Sequence, residues 1–349
     1  MSPSTSHVLH PTDRLPQASS GVEVLRSVQG IGRADWERLG VAGNVFFGYD
    51  FLCSIERDPL TRPADPYYLL ARDASGAPSA ALVLSLQETV DPFATDPDAG
   101  ITRMLVGHIW HCYDTMVPSA GTLDAKTLAD LCASMGTLAD ELDVATYGLV
   151  NIEWQGELAG LLAEAGLPGQ ETTPRYRLPM PAGGLTLDDH LATIGRASRR
   201  SLRQYMRRAE RAGARITFEQ GSDVLDDAAL ALCTATADKH APGYYPPGEL
   251  SALIRALGPD CRILRIELDG VLQAVSICLL DEQRAHFWAG GCLYPEELNW
   301  SPQYVLFGAE LEYGMASGKP VVEFGRRNDE FKRRYGLQPQ RLGRFMATR

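Results

Sequence analysis

The sequence predicts an α/β protein made of two mixed-sheet domains of the same element order, joined by a long basic helix. Three observations carry this. The chain has 349 residues, enough for two domains of ordinary size. Its composition, 45% hydrophobic and 22% charged, lets both halves bury a core. The apolar patterning of the first half then recurs in the second.

Each half opens on a predicted helix, residues 35–57 and 222–240. A hairpin follows. In the first half Tyr67–Ala71 and Ala80–Leu86 flank a polar turn; in the second, Cys261–Leu268 and Val271–Leu280 flank Asp269-Gly270. Asp-Gly between apolar runs is a strong turn signal, because Gly accepts the positive φ that a tight turn needs. A third strand is expected at Gly107–Asp114 and at Ala285–Gly290, then a helix at Ala125–Leu142 and at Gln303–Ala316. A further strand (147–154, 320–325) leads to a short helix ending at Gly166 or Gly336, each placed to stop it in a left-handed conformation. A final strand, 175–180 or 341–347, closes each half. The domains are expected at 21–180 and 181–349, after a flexible tail at 1–20 that has no apolar core of a signal peptide.

Between them, residues 188–213 predict one long helix with a candidate break at Gly195. Arg196, Arg199, Arg200, Arg203 and Arg207 share one flank at helical spacing. That flank is either a solvated or docking face, or an anion site for donor phosphates, with Arg199, Arg203 and Arg207 as candidate contacts. The net charge of −11 is divided unevenly, −12 over residues 1–180 and +1 over 181–349, so only the second half suits a polyanion. The seven cysteines form no CxxC pair and mostly sit in apolar runs, as small buried hydrophobes of a reducing compartment do. No apolar stretch is long enough to span a membrane, no His/Cys/Asp set has metal spacing, and a cytoplasmic protein without a bound metal is expected.

Residues 323–336, EFGRRNDEFKRRYG, resemble the DFGRS…FK..WG signature of the FemABX-like proteins, a tandem GNAT acyltransferase group. The arginine-rich linker is similar to the helix before that family's second domain, and NVFFGYDFL (44–52) to its early helix start. The resemblance covers about residues 35–345. The chain departs from the signature at Glu323 for Asp, Arg327 for Ser and Tyr335 for Trp. What it implies is two tandem GNAT-like domains, chemistry in the second, and transfer of an acyl group to an amine. FemX-type members take the acyl group from aminoacyl-tRNA, and Phe331-Lys332 matches a Phe-Lys pair that contacts the donor end.

Amide formation needs a neutral amine, a polarised carbonyl and a stabilised oxyanion. Lys332 is the candidate for the last, or a surface lysine beside Arg333 and Arg334. Arg326 and Arg327 follow the fifth strand into the same cleft. Glu323 either positions an amine or pairs with an arginine. Phe331 is a core or a stacking residue. The loop His240–Pro247 follows the opening helix, so Tyr244 and Tyr245 are candidates to line an acceptor pocket, with His240 as a base. His286 and Trp288 share a strand face that is either cleft or core. His108, Trp110 and His111 are read as structural.

The donor is addressed by an absence. A CoA-using domain of this fold carries a glycine-rich pyrophosphate loop before its central helix. Residues 290–303, GGCLYPEELNWSPQ, hold two glutamates and only the weak substitute Gly290-Gly291. Three functions remain open: an aminoacyl-tRNA-dependent transferase acting on a small-molecule or peptide amine, an acyl-CoA-dependent N-acyltransferase acting on a small-molecule or lipid amine, and a non-catalytic binding module.

Overall fold

A computed structural model describes residues 21–60, 64–90, 100–109, 112–239 and 243–349. The N-terminal tail, Trp110, His111 and His240 lie outside them. In chain order the elements are β1 (Val22–Leu25), α1 (Arg33–Glu37), α2 (Tyr49–Arg57), β2 (Ala64–Arg72), β3 (Pro78–Val90) and β4 (Ile101–Gly107). Next come α3 (Ala125–Glu141), β5 (Thr146–Glu153), α4 (Glu157–Glu164), β6 (Gly169–Pro179), α5 (Leu187–Thr193) and α6 (Arg196–Arg211). β7 (Arg215–Gln220), α7 (Gly221–Val224), α8 (Asp227–Asp238), α9 (Pro247–Leu257), β8 (Cys261–Leu268) and β9 (Val271–Leu280) follow. The last are β10 (Arg284–Cys292), α10 (Pro302–Ala316), β11 (Val321–Glu323), α11 (Asp329–Arg334) and β12 (Gln338–Thr348).

The twelve strands form one sheet in the order β1-β2-β3-β4-β5-β12-β6-β11-β10-β9-β8-β7. Read inward from either edge the pairing is the same: three antiparallel pairs, one parallel pair, one antiparallel pair. The final strands are exchanged, however. β12 completes β5, and β6 completes β11, whereas the sequence suggested that each half closes on its own strand. β6 and β12 also pair with each other, and that pairing joins two sheets into one. Strand edges that two separate sheets would leave open are thereby hydrogen-bonded.

One face of the sheet carries a core shared by both halves, with Trp36, Phe47 and Phe51 packed in the same cluster as Leu250, Ile254 and Ile263. On the other face α3 covers the first half through Leu128, Leu131 and Met135, while α6 and α10 cover the second. The shared core holds the first half's contribution to the site in place.

Several elements differ from the sequence reading. The first opening helix is broken into α1, two 3-10 turns and α2, because Gly40 is left-handed (φ 67°) and Asn44 caps a new turn at Phe46 N. Residues 222–240 divide into α7 and α8, the second capped by Asp226. α9, whose Leu250, Leu253, Ile254 and Leu257 are buried, and the edge strands β1 and β7 were not expected. β4 ends at Gly107 rather than beginning there. A side chain at Gly107 would crowd Leu149 at 2.8 Å, and the chain beyond leaves the sheet instead of continuing it. The basic segment is two helices, α5 and α6, parted at Ile194-Gly195.

Candidate active site

The site forms where the sheet splits. β10 and β11 pair for three residues, Arg284 with Val321, Ala285 with Val322 and His286 with Glu323. Beyond that point β10 runs on to Cys292 while the chain after Glu323 turns away. β10 also bulges. Phe287 faces Cys278 and Ala289 faces Ile277, so the register against β9 shifts at Trp288, beside the fork.

The opposite prong is the turn 324–328, in which Gly325, Arg327 and Asn328 are left-handed. Tyr176 of β6 brackets it, its N–H donating to Gly325 O at 2.9 Å and its carbonyl accepting from Phe324 N at 2.9 Å. Lys332 supports it from beneath. Its Nζ donates to the carbonyls of Phe324 (2.6 Å), Gly325 (3.0 Å) and Arg326 (2.7 Å). The sequence placed this ammonium at the cleft mouth. The structure turns it inward instead, as the buried residue of α11, so it positions the turn. Burial pushes it down to about 8, against the pull of Glu310, Asp329 and Glu323.

A pocket with about 330 Å³ of open space lies at the fork. Phe46, Tyr113, Phe287 and Trp288 give it aromatic walls, and Arg175, His286 and Glu323 give it charge and polarity. Glu323 is 4% exposed, and its Oε1 has no hydrogen-bond partner. Its nearest cation, Arg175, stands at 3.6 Å, an ion pair too long for a hydrogen bond. Arg175 instead donates to Asp114 at 3.0 Å. Asp114 also contacts Arg284, which donates to Gly43 O at 3.0 Å. Asp281 accepts from Gln283 N, Arg284 N and Val45 N and lies 3.1 Å from His286 Nε2. Burial lowers the affinity of His286 for a proton, with Asp281 opposing, so the ring is held neutral near pH 7.

Six of the predicted residues converge here. Glu323, His286 and Trp288 line the pocket. The Tyr245 ring lies 5.5 Å from Trp288, and Tyr244 packs on Tyr245 and interacts with Tyr113. Burial raises the Tyr244 hydroxyl. Arg326 lies over the Tyr113 ring at 4.9 Å and donates to Asn151 at 2.6 Å. Others do not converge. Arg327 is exposed, and Phe331 joins an aromatic cluster with Tyr304, Phe307 and Tyr335 away from the fork. On α6, Arg203 is paired with Asp188 at 2.5 Å and Arg199 reaches Ala192 O, so of the three candidate phosphate contacts Arg207 stays exposed and without an ion pair among the described residues. Arg196, Arg200 and Arg211 share that state. Gly290 and Gly291 belong to β10, where a side chain on Gly291 would strike Leu232 O of α8 at 2.2 Å, so they are packing glycines.

Sequence reasoning missed Phe46, Tyr113, Asp114, Arg175, Asp281 and Arg284. One signal was present: an arginine, Arg175, inside an otherwise strand-like run. A larger space of about 590 Å³ lies between α2, β2, β3 and His108. It is mostly apolar, and its Glu56 is already bonded to Ser27, Val28 N and Tyr68.

Residues 196–333 match the family model described as an acetyltransferase (GNAT) domain. That segment therefore has the fold of a GNAT domain. The chain is similar to the crystal structure of FemX (11% identity over 88% of this chain and 95% of that one, TM-score 0.59). It is also similar to a tandem GNAT protein from the clavulanic acid biosynthesis pathway (15%, 94% and 98%, TM-score 0.52) and to L-PGS from Bacillus licheniformis (13%, 85% and 90%, TM-score 0.50). At these identities the likeness is one of fold. No curated protein matches the sequence. Among the described residues no helix is long and apolar enough to cross a membrane.

Proposed function

We propose that this chain is an amide-forming acyltransferase with its reaction centre at the β10–β11 fork, transferring an aminoacyl group from aminoacyl-tRNA to an amine. The observation that carries the reading is the buried Glu323 carboxylate beside a bulged strand. In this reading the donor's ester carbonyl lies against the bulge of β10, and Glu323 holds the acceptor ammonium. One ammonium proton passes to Glu323. The nitrogen attacks the carbonyl carbon, a C–N bond forms and the ester C–O bond breaks, and a second proton goes from nitrogen to the departing alkoxide. Residues 181–349 hold this chemistry. Residues 21–180 supply Phe46, Tyr113 and Asp114 on the acceptor side.

Two features support a tRNA donor. Arg196, Arg200, Arg207 and Arg211 form an exposed row on α6 without an ion pair among the described residues. Exposed Glu296 and Glu297 stand between β10 and α10, where a CoA pyrophosphate needs N–H donors. The match of residues 196–333 to an acetyltransferase model favours acyl-CoA as the second reading. Incubating the full chain with charged tRNA or acyl-CoA pools and an amine mixture, followed by mass spectrometry, tests both. Aminoacyl-tRNA consumed with a new amide is the expected result. Consumption of acyl-CoA moves the donor, and no consumption of either overturns the enzyme.

A further inference from the structure

We infer that the fork pocket takes a free amino acid, its ammonium on Glu323 and its carboxylate on the guanidinium of Arg175, with Arg326 behind. This deepens the reading above and rests on it for one point, that the amino acid is the acyl acceptor.

The argument starts from unsatisfied groups. Nine buried side-chain polar atoms among the described residues lack a hydrogen-bond partner, and four belong to the layer around this one pocket: Glu323 Oε1, Arg175 Nε, Arg284 Nε and Arg326 Nε. Buried polar atoms are almost always paired, so such a concentration marks a place where a polar ligand completes the pairing. Their chemistry states what the ligand offers. One is a carboxylate oxygen that needs a donor; the others are guanidinium N–H groups that need an acceptor. A zwitterion answers both, while an amine or an acid alone answers one.

The surroundings agree. Of these guanidiniums Arg175 lines the cavity; one of its terminal nitrogens donates to Asp114 at 3.0 Å while its Nε has no partner. Arg326 makes no ion pair with Glu323 within 4.0 Å; it lies over Tyr113, whose ring forms the wall. The faces of Phe46, Tyr113 and Trp288 favour an ammonium beside the carboxylate. Phe46 against His286 at 5.1 Å and Trp288 against Tyr245 at 5.5 Å close the walls. The lining encloses little free space, which suits a ligand of a few heavy atoms.

The test is calorimetric titration of the full chain, with no donor present, using each of the twenty standard amino acids. For any that binds, its methyl ester and its deaminated acid are titrated too. At least one amino acid is expected to bind, with both analogues at least tenfold weaker. Glu323→Gln and Arg175→Lys should each weaken it at least tenfold at an unchanged melting temperature. Absence of binding by all twenty overturns the proposal. So does an ester that binds as well as the acid, which reassigns the pocket to the amine end of a larger acceptor, and so does a folded Glu323→Gln protein that binds normally. Because the titration contains no donor, binding supports the site by itself, and a bound amino acid that stays unacylated in the donor assay above removes only its role as acyl acceptor.

Discussion

The sheet contains two forks of the same topology that carry opposite chemistry. β4 and β5 pair in parallel from Met104–Thr146 to Gly107–Leu149 and then part, as β10 and β11 do after His286–Glu323. In the first fork the adjoining side chains are apolar: Met104, Val106 and Val150 cluster with Met346, and Leu105 and Leu149 enter the core of α3. Asn151, left-handed at φ 62°, donates to Cys112 O and accepts from Arg326, which braces the turn of the second fork. The second fork carries His286 and Glu323 instead. Strand pairing repeats the backbone, and a few side chains decide which copy carries buried polar groups and which is apolar.

The contrast is broken most directly at Glu323. Glu323→Gln keeps shape and removes charge, and it should lower the single-turnover rate by roughly 10²–10³ while the melting temperature stays near that of the parent. The matched change in the first fork, Val150→Ala, should cost about 1–3 kcal/mol of stability in a denaturant titration and leave the rate within about twofold. Equal rate losses for the two would erase the distinction between the forks.

Lys332→Met comes next. It strands the carbonyls of Phe324, Gly325 and Arg326, so a stability loss on the order of 3 kcal/mol is expected in urea titration. If the variant keeps full stability and loses only rate, Lys332 contacts substrate directly and the positioning role is wrong. A smaller effect belongs to α6. Arg200, Arg207 and Arg211 changed together to Glu should weaken tRNA binding about tenfold and flatten its salt dependence by roughly 2–3 in slope. An unchanged slope would make that row a solvated face.

The smallest effect concerns His108, at the wall of the first half's apolar space. Burial, with help from Arg326, pushes it down to about 4. Its folded pKa therefore lies below that of the unfolded chain, so the unfolded state takes the proton first as pH falls. Stability is full above about 6.5 and declines toward pH 4, by on the order of 1–2 kcal/mol after allowance for the exposed part of the ring. His108→Asn should flatten this decline in melting temperature against pH. A slope that persists would assign it to the other buried histidines, His190 and His286, whose pKa values are also lowered by burial.

The sequence by itself determined the repeated element order, because local signals suffice for it. Asp269 and Gly270 both take positive φ (51° and 77°), Gly166 and Gly336 end their helices at φ 85° and 79°, and period-two and helical patterns mark the strands and helices between. It also marked Glu323, His286, Trp288, Tyr244, Tyr245 and Arg326 as cleft candidates, since each sits at the end of a recognisable strand or helix. Only the tertiary structure decided the rest. The exchange of β6 and β12 depends on which long strand finds which edge, and nothing local to either records its partner. Phe46, Tyr113, Asp114 and Arg175 reach the pocket through contacts across well over a hundred residues, so no short-range pattern announces them. Lys332 shows the limit most clearly. Its place in a motif named the residue, but whether an ammonium meets substrate or three backbone carbonyls is set by which face of a six-residue helix turns inward, and packing against β6 and β11 chooses that face.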